Sequence, residues 1–407
     1  MVPLEEARAF VLGLAGRLEA VEVPLADALG LVTADEVRSP EAVPPFANTA
    51  VDGYAVQAAD TTGAPAELRV VGMLAAGSPP LQPVGPGEAI RIMTGAPIPP
   101  GADAVVMVED TAEVSGDGDG SGGRVRIGVA VAPGTSIRPA GDDVRPGDVV
   151  VDADVELGPG HLGVLASVGV EAVRVYPRPR VGVLSTGDEL VEGGGALRPG
   201  QIREANRPAL LGLLRRSGFE PIDLGIATDD EESVTKALRD GVARCDLVLT
   251  SGGVSMGDLD FVKVVLDRIG EMRWLQIAIK PAKPLAAGVV DGVPVIGLPG
   301  NPVSSMVSYE LFARPLLRRM AGCTTIDRPS VWATTEDGFR RSADGKLHLN
   351  RVVASADDRG RWTVRSAGGQ GSHQLTAMAA ANALALVPDG TGVEPGGEVR
   401  TLLLAWG

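Results

Sequence analysis

The chain has 407 residues, with 37 Lys and Arg against 52 Asp and Glu and a formal charge of −15, so no broad positive field is available to hold nucleic acid or an anionic membrane. Hydrophobic residues at 44% and charged residues at 22% describe a folded chain with room for several domains. Aromatic residues at 3% leave little for stacking bases, and the two isolated cysteines, Cys245 and Cys323, make neither a zinc framework nor a disulfide scaffold.

In chain order, Leu4, Ala7, Phe10, Val11, Leu14 and Leu18 recur at helical spacing, with Glu5 and Glu6 in the first turn, which predicts an amphipathic helix over 4–18. The opening Met1-Val2-Pro3-Leu4-Glu5-Glu6 has no basic leader and no long uncharged apolar run follows; the expectation is a soluble cytoplasmic protein. Between Pro40 and Val150 short β-branched runs (68–71, 88–93, 104–108, 125–129) are broken by Pro and Gly and predict a β-rich unit. Ser115 to Gly123 has nothing to bury and reads as a mobile hairpin tip. The formal G-x-G-x-x-G it contains lacks the strand-to-helix setting of a dinucleotide site.

After Pro177-Arg178-Pro179 the rhythm changes to strand, loop, helix: strands at 181–184, 221–226, 247–250 and 293–298 alternate with helices at 207–217, 231–243, 261–269 and 304–320. Such alternation predicts a largely parallel, doubly wound sheet covered by helices on both faces. Beyond Pro329 short strands return and predict a small β-rich C-terminal unit. The expected organisation from these patterns is a multidomain α/β plus β chain, with β-rich units on either side of the α/β stretch.

Ligands of open α/β sheets bind beyond the carboxyl ends of the strands. Four loops there carry the polar residues and glycines: Ser185 to Glu189, Ala227 to Asp230, Ser251 to Asp258, and Pro299 to Ser305. Gly252, Gly253 and Gly300 let backbone N–H groups approach an anion, although the chain has no Walker motif. Asp188, Glu189, Asp229, Asp258 and Asp260 would repel a bare phosphate unless a hard cation such as Mg²⁺ lay between them. Capping of the following helix is an even alternative for Asp229 or Asp230. Lys280 and Lys283, each followed by a proline (Pro281, Pro284) that fixes the backbone, point to an oxyanion site. Gly253-Val254-Ser255-Met256-Gly257 also fits a nucleophile elbow, and a hydrolase triad would then have to draw on His348 or His373.

Taken together these segments resemble the MoeA-type molybdopterin molybdenumtransferases, relatives of the E domains of gephyrin and plant Cnx proteins. The resemblance is carried by 45–55 (PFANTAVDGYA), 91–97 (RIMTGAP), 185–190, Gly200-Gln201-Ile202 with Asn206-Arg207, 250–257, 280–284 (KPAKP), 298–304 and 370–373 (QGSH). It implies an elongated four-domain subunit, with residues 1–45 and 140–176 as an N-terminal linker and dimerisation domain, a β-rich domain at 46–139, a MogA-like α/β domain at 177–325 that binds molybdopterin, and a barrel-like domain at 326–407. The subunit would work as a homodimer in which the β domain of one copy faces the α/β domain of the other. It also implies adenylylated molybdopterin and molybdate as substrates, release of AMP, Mg²⁺ as cofactor, and a molybdopterin adenylyltransferase as a candidate partner. Carried over by motif, Asp52, Thr94, Asp142, Glu189, Asp229 and Asp260 would line the pterin-nucleotide and metal site, with Asp229, Asp260 and Glu189 as metal ligands. Lys280, Lys283, Ser255, Ser304, Arg351 and Ser372 would shape the molybdate and phosphate positions, with Ser185, Gly252, Gly253, Pro299, Gly300 and Asn301 contacting substrate. The chain departs from the family pattern at Ala47, Val51 and Arg203-Glu204-Ala205, and at Gly141-Asp142-Asp143 the register admits Asp143 as well as Asp142. A scaffold or partner-binding role, as in the gephyrin E domain, is the alternative from another class.

Overall fold

The structure is a computed structural model, and it describes residues 1–115, 123–254 and 261–404. The N-terminal helix is Leu4–Leu12, shorter than expected, because Gly13 ends it and turns its N–H onto the Ala9 and Phe10 carbonyls, both at 3.1 Å. Its buried residues Ala7 and Val11 join the core of the α/β domain, alongside Tyr309 and Leu316. Farther on, Val21–Pro24 pairs antiparallel with Ala172–Tyr176, and Val37–Arg38 pairs with Val149–Val151. Leu165, from the helix Pro159–Ser167, closes the small core beneath them.

The β-rich unit is a six-stranded sheet in the order Ala104–Met107, Gly53–Val56, Glu88–Ile92, Ala66–Leu74, Arg124–Ile127, Thr111–Ser115. Period-two alternation fills two cores, with Tyr54 and Val56 on one side and Ala55, Ile90 and Ile92 on the other. The strands on either side of the expected hairpin tip pair antiparallel; the tip itself, at 116–122, lies outside the described residues.

The α/β domain contains β1 (Arg180–Thr186), α1 (Asn206–Arg216), β2 (Glu220–Ala227), α2 (Glu231–Arg244), β3 (Leu247–Ser251), α3 (Phe261–Ile269), β4 (Gly270–Gln276), β5 (Ile279–Lys280), β6 (Pro284–Val290) and β7 (Val293–Leu298). The sheet runs β2-β1-β3-β7-β6-β4. Its first four strands are parallel as expected, whereas β6 and β4 add an antiparallel edge that the alternation did not predict.

The single helix expected over 304–320 is instead α4 (Pro302–Ser308), a π-helical turn at Tyr309–Ala313, and α5 (Arg314–Met320). Pro315 is the physical reason. It has no N–H to offer the Leu311 carbonyl four residues back, and that oxygen accepts Arg8 Nη1 instead, at 2.6 Å.

The C-terminal unit closes as a barrel from β8 (Ser330–Thr335), β9 (Leu347–Ala356), β10 (Trp362–Ser366), β11 (Ala383–Val387) and β12 (Glu398–Leu403), in the circular order β9-β10-β8-β12-β11. Two features fuse it to the α/β domain. Leu349, Met378, Leu384 and Leu404 belong to the same buried cluster as Ile279, Leu298 and Val303 of the α/β domain. In addition β5 pairs parallel with β9, Lys280 opposite His348. A shared core of this kind makes the two domains one rigid platform.

Candidate active site

The carboxyl ends of β1, β2, β3 and β7 form one crevice, as the parallel register requires. Gly252 stands at φ +94° and gives its N–H to Leu298 O at 3.1 Å, which draws the loop after β3 onto the end of β7. Gly253 follows at φ +73°, where a Cβ would sit 2.3 Å from the Val262 Cβ, so only glycine fits. Asn206, at the start of α1, locks the two loops by donating Nδ2 to Ser251 Oγ and to Gly300 O, both at 2.7 Å. In the sequence it stands only as part of a family motif; its role needs the fold.

On the other side of the crevice, Asp188 and Asp229 face each other. The Asp229 N–H donates to Asp188 Oδ1 at 3.1 Å and the Asp188 N–H donates to Asp229 Oδ2 at 3.4 Å. Asp230 is the capping residue: it accepts from Ser233 N at 2.8 Å and from the Thr228 hydroxyl at 2.5 Å, and these bonds, the Thr228 one first, hold its carboxyl below the ordinary range. Asp229 is thereby left for the crevice. Glu189 is exposed and folds back over Gly187, where a Cβ would lie 2.4 Å from its Oε2. Ser185, by contrast, is fully buried at the end of β1 with its Oγ unpartnered, so it is not one of the crevice's exposed groups. Ser255, Asp258 and Asp260 lie outside the described residues, and with them the elbow serine and one expected metal ligand.

Between the α/β domain and the barrel lies a cavity of about 890 Å³. It gathers Lys280, Lys283, Asn301, Ser304, Arg351 and Ser372 from four separate stretches of sequence. The seam is tied by Val303 N, which donates to Ser372 O at 3.1 Å. Arg351 is only 1% exposed, has no carboxylate partner among the described residues, and spends its Nη2 on the Gly369 and Gly371 carbonyls at 3.1 and 3.2 Å, while its Nε has no partner there. Burial lowers its pKa to about 10. A buried cation without a counter-ion is costly, and an anion in the cavity would remove that cost.

Further groups in the wall are not among those the sequence assigns to an oxyanion site: His348 stands there only as a candidate triad histidine and Gln370 only within the 370–373 motif. Arg341 binds Asp344 and Asp389; His348 Nε2 meets Asp344 Oδ2 at 3.1 Å; Arg340, Lys346 and Gln370 complete the lining. Burial pushes the His348 imidazole below its ordinary value, while the hydrogen bond from His348 holds the Asp344 carboxyl down at about 2. The paired Arg340-Arg341 is visible as two adjacent cations, but nothing in the sequence places it opposite Lys280.

Asp52 and Thr94 belong to the β-rich domain and Asp142 to the N-terminal unit, and none of the three lines this cavity. Asp52 accepts from the Thr94 N–H and hydroxyl, each at 2.7 Å, and these two bonds hold its carboxyl below the ordinary range. Asp142 and Asp143 are both exposed beside Gly141. Among the described residues no group of three or more His, Cys, Asp and Glu is arranged to hold a metal ion, and no helix is long and apolar enough to cross a membrane.

Comparison with known proteins matches residues 2–169 to the MoeA N-terminal region (domains I and II), 182–319 to a probable molybdopterin binding domain, and 338–404 to the MoeA C-terminal region (domain IV). A molybdopterin molybdenumtransferase of Haemophilus influenzae is 38% identical over 379 residues, covering 93% of this chain and 92% of the relative. Molybdopterin molybdenumtransferase 2 of Mycobacterium tuberculosis is 37% identical over 383 residues, covering 91% of each. The crystal structure of a molybdopterin biosynthesis MoeA protein from Pyrococcus horikosii superposes over 100% of both chains, with a TM-score of 0.83 at 33% identity.

Proposed function

This chain belongs to the MoeA family, and from that premise we infer that it is an enzyme of molybdenum cofactor biosynthesis, a molybdopterin molybdenumtransferase. The observation that carries the reading is the cationic cavity at the α/β–barrel seam, where Arg351 is buried without a counter-ion among the described residues, beside Lys280 and Lys283. Molybdate is a dianion with four oxygen acceptors. Two ammonium groups and a guanidinium supply its charge balance, and the Ser304 and Ser372 hydroxyls supply neutral donors that fix its orientation.

The adenylylated pterin would lie along the adjoining crevice, its phosphates against the loops after β3 and β7, where Gly252, Gly253, Pro299, Gly300 and Asn301 leave the backbone open to close approach. Asp188, Glu189 and Asp229 offer only hard carboxylate oxygens and no His or Cys, a donor set that suits Mg²⁺ shared with phosphate oxygens. Glu189 and Asp229, with Asp260, would hold that ion, which supplies charge screening between the acids and the pyrophosphate. The chain's own residues then act by position: Lys280 and Lys283 hold the oxyanion, Arg351 fixes one side of it, and the acids align the phosphoanhydride for release of AMP.

Asp52 and Thr94 sit on the β-rich domain, away from the cavity, which supports an assembly in which the β domain of a second copy completes the crevice. A cytoplasmic location and a molybdopterin adenylyltransferase as the supplier of substrate complete the proposal. The test is AMP release from adenylylated molybdopterin by the purified protein, with and without Mg²⁺, comparing molybdate with tungstate. Release that needs both the metal and the oxyanion is expected; an authentic substrate left intact under all conditions would overturn the reading and favour a partner-binding role.

A further inference from the structure

We propose that a second anion site, shaped for a phosphate dianion either free or carried as a phosphomonoester, occupies the cavity of about 390 Å³ at the amino-terminal edge of the α/β sheet. The cavity lies where Pro179 leads into β1 and Phe219 leads into β2. The candidate active site uses the loops that leave the opposite ends of those strands. It is therefore separate from the oxyanion cavity at the barrel seam.

Its wall is cationic in a protein whose net charge is strongly negative. Arg178, Arg216, Arg314, Arg318 and Arg328 all line it, and Glu156 is its one lining acid among the described residues. Arg318 is satisfied by Glu156 at 2.9 Å, and Arg328 by a fork onto Glu310 at 2.9 and 3.1 Å. Among the described residues, three guanidinium groups are left without a good carboxylate partner. Arg178 gives only Nη2 to the Leu29 carbonyl at 2.7 Å, and the Arg216 side chain has neither a hydrogen bond nor an ion pair there. Arg314 is 6% exposed and donates Nη1 to Ile326 O at 3.0 Å. Its Nε has no hydrogen-bond partner and stands 4.0 Å from the Glu310 oxygen that Arg328 already holds. Burial, reinforced by the neighbouring Arg328, lowers the Arg314 pKa to about 10.

Guanidinium forks match the tetrahedral faces of a phosphate, and a dianion is the charge that would settle the surplus. The volume suits a phosphate alone or a small phosphomonoester, being at the low end of the range for small-molecule sites. Leu29 and Glu156 line the cavity from the N-terminal unit, Arg178 holding the Leu29 carbonyl, whereas Arg314 lines it from the α/β domain. An anion here would therefore fasten the two together, and by linkage its binding would raise the melting temperature of the whole chain.

The test is calorimetric titration of the full chain with inorganic phosphate and, in a separate arm, with AMP, using adenosine as the uncharged control. The wild type is compared with Arg178→Gln/Arg216→Gln and with Lys280→Ala, which strips a cation from the other cavity. Saturable binding kept in Lys280→Ala and weakened about tenfold or more in the double variant is the expected result, since charge-assisted hydrogen bonds are lost. Equal affinity for both probes would identify free phosphate as the ligand; tighter AMP with silent adenosine would identify a phosphomonoester. No saturable binding, unchanged affinity in the double variant, or loss of binding in Lys280→Ala would overturn the proposal. Should the double variant melt early, the affinity of Arg216→Gln alone decides the matter, because that side chain holds nothing in place.

Discussion

Replacing Arg351 with Met separates the cost of burying a cation from its use. The side chain is 1% exposed, and burial lowers its pKa from the ordinary guanidinium range to about 10, a deficit of about 3 kcal/mol in the charged folded form. Because the folded pKa lies below the unfolded one, this deficit is present at all pH values below about 10 and disappears only as the pH approaches the ordinary guanidinium range. Against it stand the hydrogen bonds to the Gly369 and Gly371 carbonyls, which contribute about 1 kcal/mol each. Methionine fills similar space and carries no charge. The two effects nearly cancel, and Arg351→Met is expected to keep unliganded stability within about 1 kcal/mol of the wild type at neutral pH. Molybdate binding should behave differently: a lost charge-assisted contact weakens it by about 1.5–3 kcal/mol, roughly ten- to hundredfold. Thermal melts with and without molybdate, joined to calorimetric titration, read both quantities. A variant that melts far below the wild type while binding molybdate with unchanged affinity would refute the reasoning and make Arg351 a strut for the 369–371 loop.

Other perturbations follow from the same geometry. Lys280→Ala should weaken molybdate binding with the barrel seam intact, since β5 joins β9 through backbone pairing; calorimetry and melting temperature together check this. Gly253→Ala would force a Cβ to 2.3 Å from Val262 at φ +73°, so strain and overpacking should destabilise the α/β domain by about 2–5 kcal/mol, read as a lowered melting temperature. The Thr94 amide and, second to it, the Thr94 hydroxyl hold the Asp52 carboxyl down; Thr94→Val removes the hydroxyl and keeps the amide. Asp52 should then titrate nearer the ordinary carboxylate range by carbon-detected NMR. The stability that its depressed pKa contributes is present above the ordinary range and lost as pH falls through the folded value, so the variant should begin to lose it at a higher pH. Asp229→Asn should shift the Mg²⁺ dependence of AMP release to higher metal concentration, whereas Asp230→Asn, at the helix cap, should change stability alone by about 1 kcal/mol or less.

Much of the molecule is legible in the sequence because its signals are local. The alternation of apolar strand and amphipathic helix after Arg180 follows from side-chain periodicity, and so does the position of the crevice, since parallel strands must present their following loops at one edge. The family motifs point to the lysines, the Gly-Gly loop and Arg351 without any geometry. Local signals fail where one residue overrides a period: Gly13 stops the first helix, and Pro315 opens a π turn in the last one.

What the sequence could not hold was the pairing of distant segments. Asp229 and Asp230 are equivalent as letters; only Ser233 and Thr228, bonding to Asp230, assign the cap to one and leave the crevice to the other. Lys280 and Arg351 become neighbours of one cavity because a two-residue strand adds to the barrel and the barrel shares its core with the sheet. The arginine surplus at the far edge of the sheet is likewise invisible in a chain of net charge −15. Charge composition adds over the whole chain, whereas the potential inside a cavity depends on which few charges the fold brings within a Debye length of one another and out of water.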